Sequence, residues 1–72
     1  MMTISIQKYK LTIRTHNLGE KQTNLLFNVV FDKLPEKIIM AKEENEVILT
    51  GKTSDLYNAL WLLSIHFDIE LV

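Results

Sequence analysis

The chain has no cysteine, one proline and two glycines in 72 residues. Without cysteine there are no disulfides and no thiolate zinc sites, so a metal would have to be held by His16, His66 and carboxylates. Few glycines and a single proline exclude a flexible linker or low-complexity character. No run approaches the roughly 20 apolar residues of a membrane span, and Ala59–Leu63 is far too short. Met1–Lys10 alternates polar and apolar residues without an apolar leader core, which leads to the expectation of a cytoplasmic protein with no secretory signal. Formal net charge is only −1, so bulk charge does not point to nucleic acid.

What remains is a hydrophobic content of 47%, rich enough to argue against intrinsic disorder. At this length one globular domain, residues 1–72, is the ceiling. Such a domain buries only about 60% of its unfolded surface, so a partner would help its stability.

Two periodicities organise the chain. Met2, Ile4 and Ile6 alternate with polar residues, and the phase then slips to Tyr9, Leu11 and Ile13. Period two means strand, and the slip means a bulge or break near Gln7–Lys8. His16–Lys21 is polar and reads as a loop. Leu25–Phe31 reads as a strand whose fully apolar face is Leu25, Phe27, Val29 and Phe31. Lys37–Ala41 and Glu46–Thr50, joined by Glu43-Glu44-Asn45, read as a hairpin. Thr53–Phe67 reads as a helix with Thr53 or Ser54 as N-cap, and Asp68–Val72 as a terminal strand.

The expected class is α+β: a small antiparallel sheet with one main C-terminal helix, order β-β-β-β-α-β. A helix at Leu25–Phe31 would change this to a ferredoxin-like β-α-β-β-α-β. The expected core is Leu11, Ile13, Leu25, Phe27, Val29, Ile38, Val47, Leu49, Leu56, Leu60, Leu63 and Phe67.

The C-terminal helix is apolar on too many sides. Leu56, Leu60, Leu63 and Phe67 form one stripe within about 40°. Tyr57, Trp61 and Ile65 form a second stripe roughly 140° away, with Leu62 further round. One sheet covers one side of a helix, so the second stripe needs another cover: the N-terminal segment Met1–Ile6, a second copy, or a different partner.

Catalytic chemistry is poorly represented. Gly51-Lys52-Thr53 follows a strand and precedes a helix, but Glu46 stands where a phosphate loop needs its first glycine. The two histidines lack metal-protease spacing, and none of the three serines has an adjacent base. No cofactor is expected.

Charge is segregated along the chain. Lys8, Lys10 and Arg14 are expected on one strand face, where lysines guard an edge or contact phosphate. Asp32, Glu36, Glu43, Glu44 and Glu46 form an acidic group able to complement a basic surface, such as that of a DNA-binding protein.

The resulting expectation is a non-enzymatic protein-interaction module that binds and occludes a partner protein. It is of the antirepressor or anti-defence type carried by phages and other mobile elements, a class analogy. Its site would be Tyr57, Trp61, Leu62 and Ile65, steered by Glu43, Glu44 and Glu46. The alternatives are a nucleic-acid-binding regulator using Lys8, Lys10 and Arg14, and a homodimeric structural module.

Overall fold

The computed structural model describes residues 1–34 and 36–72. Alternation over Met2–Gln7 and Lys10–Arg14 produces two strands, β1 and β2. They form a hairpin through Lys8-Tyr9, with Gln7 paired to Lys10. The phase slip in the sequence is therefore a chain reversal rather than a bulge. It brings Ile4 opposite Ile13 and Ile6 opposite Leu11, so both apolar sets share one face.

Helix α1 spans Glu20–Lys33, correcting the strand expected at Leu25–Phe31. The residues that bury are Leu26, Val29 and Val30, at i, i+3 and i+4. The alternating set would have buried Leu25 and Phe31, which are 39% and 68% exposed. The helix begins at Glu20, so Glu20 and Lys21 belong to it and not to the loop expected over His16–Lys21. Gln22 accepts a bond from the Gly19 backbone N–H at 3.3 Å, and the Thr23 hydroxyl donates to the Gly19 carbonyl at 3.0 Å. These contacts seat the first turn. Phe27 and Phe31 meet one turn apart with ring centroids 6.4 Å apart, and the Lys42 ammonium lies 5.1 Å from the Phe27 ring centre.

Strands β3, Ile39–Lys42, and β4, Glu46–Thr50, form the expected hairpin. Helix α2 follows over Thr53–His66, and β5 over Ile69–Leu71. The N-cap of α2 is Lys52, not Thr53 or Ser54. The Thr53 hydroxyl is used differently: it donates to the Lys8 carbonyl and ties the helix start to the β1–β2 turn.

The observed order is β-β-α-β-β-α-β. It has one helix more than β-β-β-β-α-β and one strand more than the ferredoxin-like alternative. The sheet runs β3-β4-β2-β1-β5 and is mixed rather than antiparallel, because β5 lies parallel to β1. All neighbours are antiparallel except β1 and β5. The crossover through α2 passes β2 and β1 and returns beside β1 in its direction.

One apolar cluster joins sheet and helices. Met2, Ile4, Leu11, Ile13, Val47 and Leu49 meet Leu26, Val29 and Val30 of α1 and Leu56, Ala59 and Leu63 of α2. Both helices thus cover the same sheet face. The other face carries Thr3, Ser5, Lys10, Thr12, Arg14, Glu46, Ile48 and Thr50. Among the described residues no helix is long and apolar enough to cross a membrane.

Candidate functional site

Of the expected stripe α2 buries Leu56 and Leu63, joined by Ala59, while Leu60 and Phe67 are only half-buried. Leu56, Ala59 and Leu63 are wholly enclosed. Tyr57, Trp61 and Ile65 are 54%, 65% and 57% exposed. Met1–Ile6 does not fold over them, because Met2–Gln7 is a strand between β2 and β5 in the sheet.

On the β5 side, the second stripe borders a groove of about 410 Å³ lined by Tyr57, Leu60, Trp61, Ser64, Ile69 and Leu71. Its floor comes from the edge strand and its wall from α2. Ile69 and Leu71 pair with the core residues Met2 and Ile4, so they point to the helix side of the sheet. Glu70, opposite Thr3, points to the other face. The Ser64 hydroxyl donates to the Trp61 carbonyl at 2.6 Å and thus turns back on its own helix.

Ile65 and Leu62 do not line this groove. Ile65 borders a second cavity with Met1, Leu18, Gln22 and Leu25, and Ser64 touches both. Leu62 is half-buried, about 100° beyond Trp61 on the helix and away from β5.

The expected acidic residues are also elsewhere. Glu43 and Glu44 are exposed at the tip of the β3–β4 hairpin. Glu46 lies on the open sheet face opposite Arg14. With β2 and β1 between β4 and β5, these carboxylates stand about 14 Å or more from the groove strand. The groove lining holds no acid: Asp68, just before β5, borders the other cavity, and Glu70 of β5 faces the opposite side of the sheet. The sequence signal for this part of the site is the Ile69-Glu70-Leu71 alternation, which marks a terminal strand but not its place at the sheet edge.

The basic stripe is shorter than expected. Lys10 and Arg14 are exposed on the open face with Thr12 between them. Lys8 is in the hairpin turn, its ammonium 5.4 Å from the centre of the Tyr9 ring. Tyr9 shares that turn, so it is no platform on the sheet for stacked bases.

His16 is exposed in the β2–α1 loop, and His66 is half-buried in the last turn of α2. Among the described residues no group of three or more His, Asp or Glu is placed to hold a metal ion.

Among the described residues these features define a small α+β domain of five strands and two helices with an apolar groove at one sheet edge. The chain matches no protein-family model, no curated protein and no solved structure.

Proposed function

We propose that this chain is a non-enzymatic protein-interaction module that binds and occludes a partner protein through the outer face of α2. The reading is carried by the exposure of Trp61, 65%, within an apolar patch shared with Tyr57 and Leu71. Tryptophan and tyrosine dominate binding energy where they fill a desolvated contact. They are also costly to leave in water as a continuous patch. A domain that has enclosed its core without these side chains has them free for another surface.

In this reading Tyr57 and Trp61 are the anchor, and Ile65 extends the contact toward the N-terminal end of α1. The module works in the cytoplasm as a regulator or inhibitor, of the kind mobile elements use to block a host or repressor protein. That last step rests on class analogy.

The test is a comparison of wild type with Trp61→Ala. Partner retention from a lysate of the source cell is expected for the wild type. The variant should lose about 2 kcal/mol or more of affinity for the same partner while keeping its circular dichroism. Identical retention by both chains contradicts the proposal.

A further inference from the structure

Resting on that reading, we infer that the groove takes an extended segment of the partner, apolar at alternate positions and carrying Lys or Arg between them. The segment adds to β5 as a sixth strand.

The backbone supplies the first argument. Met2 N–H donates to the Asp68 carbonyl at 2.8 Å, and Val72 N–H donates to the Ile4 carbonyl at 3.0 Å. Asp68 and Val72 therefore turn backbone groups toward β1. By strand alternation Ile69 and Leu71 turn theirs outward, to the open side of the sheet's last strand. A guest strand would find donors and acceptors at both residues. Side chains on its helix-facing side would enter the groove of Tyr57, Leu60, Trp61, Ile69 and Leu71. This is strand addition, where backbone bonds hold the guest and alternate pockets select it.

The two sheet edges differ in a way that favours β5. The β3 edge carries Lys42 and is preceded by the exposed Lys37, the usual guard against strand pairing. The β5 edge has no lysine. From Thr53 to Val72 the sequence holds Asp55, Asp68 and Glu70 and no Lys or Arg. Glu70 stands on the sheet face opposite the groove, where the outward side chains of a guest strand would lie beside it, and so complements Lys or Arg at the guest's alternate positions.

The same charges disfavour a second copy in two registers. Antiparallel pairing of β5 with itself about Glu70 sets Glu70 against Glu70 of the other copy, and pairing about Ile69 sets it against Asp68. Like charges directly opposite are destabilising. The exposed parts of Tyr57, Trp61 and Leu71 amount to roughly 400 Å², the size of a functional patch on a monomer.

The experiment is selection of a random 12-residue peptide library on the wild-type chain, counter-selected on Trp61→Ala, with titration of the best peptide. Enriched sequences should alternate apolar residues with Lys or Arg. Trp61→Ala should weaken the best peptide about 30-fold. N-methylation of every second peptide amide on the bonding side should weaken it at least tenfold, and Glu70→Lys about fivefold. Peptides that depend on Trp61 but show helical spacing, or tolerate N-methylation, overturn strand addition and leave the α2 face as a docking surface. Absence of any Trp61-dependent peptide overturns both. A chain that sediments as a dimer at 100 µM, with no peptide enriched, assigns the groove to a second copy and also overturns the inference.

Discussion

Trp61→Ala and Leu63→Ala lie two residues apart on one helix, and the structure assigns them opposite consequences. Trp61 is 65% exposed, so only about a third of its surface, roughly 75 Å², is sheltered. At about 25 cal/mol per Å² that shelter is worth at most about 2 kcal/mol. A compact denatured state lowers the figure by roughly a third. Alanine's better helix propensity returns about 0.5 kcal/mol. The net loss expected for Trp61→Ala is therefore about 1 kcal/mol or less. Leu63 is fully enclosed between the helices and the sheet. Its truncation leaves a cavity and costs about 3–5 kcal/mol. A domain of this length has roughly 4–11 kcal/mol in total, so Leu63→Ala should be close to unfolding. Urea titration followed by circular dichroism separates the two, since a slope of about 1 kcal/mol per M converts these losses to midpoint shifts of at most ~1 M and of ~3–5 M. Equal losses for the two variants would refute the division of α2 into a core stripe and a spare stripe.

The same contrast applies to α1: Leu26→Ala should cost about 2–5 kcal/mol and Phe31→Ala under ~1.5, measured by thermal melting. A strand at Leu25–Phe31 would reverse that order. Lys52→Asp should stabilise the domain by about 0.5–1 kcal/mol, because α2 has no side-chain cap and a carboxylate there can accept from the first helical amides. An unchanged melting temperature would contradict it. Thr53→Val should cost about 1 kcal/mol through loss of the bond to Lys8, read in the same melts. Lys10→Ala combined with Arg14→Ala should leave partner binding unchanged, since both residues lie on the sheet face opposite the helices. A loss above about threefold in a binding titration would contradict that placement.

How much was legible in the sequence differs by element. Leu11, Ile13, Val47 and Leu49 were readable because period two leaves one apolar face, and all four are buried. Helix α2 was readable because its apolar residues fit only a helical period over a long stretch. Leu25–Phe31 was ambiguous, since an apolar run with asparagine at one position fits both periods. What decided it was the polar turn at Glu20–Asn24 and the contacts of Leu26, Val29 and Val30 with the sheet, which are tertiary information. Met2 and Ile4 were undervalued because their central place depends on Lys8-Tyr9 reversing the chain, which brings the two strands face to face. At the site, Tyr57 and Trp61 were legible from the helical wheel. The charge around it was not: Glu43, Glu44 and Glu46 dominate the sequence as a cluster, yet strand order carries them away from the groove strand and leaves Glu70 as the acid of β5, on the opposite sheet face. Charge along a chain says little about charge around a fold until the topology is known.

Trp61 is the chain's single tryptophan, so its fluorescence reports the docking face alone. The most direct measurement is acrylamide quenching of that emission, first for the isolated chain and then with the selected peptide bound. The account predicts an indole quenched freely in the isolated chain and strongly protected once the groove is filled. An indole already shielded in the isolated monomer, or equally open with the groove occupied, would contradict it.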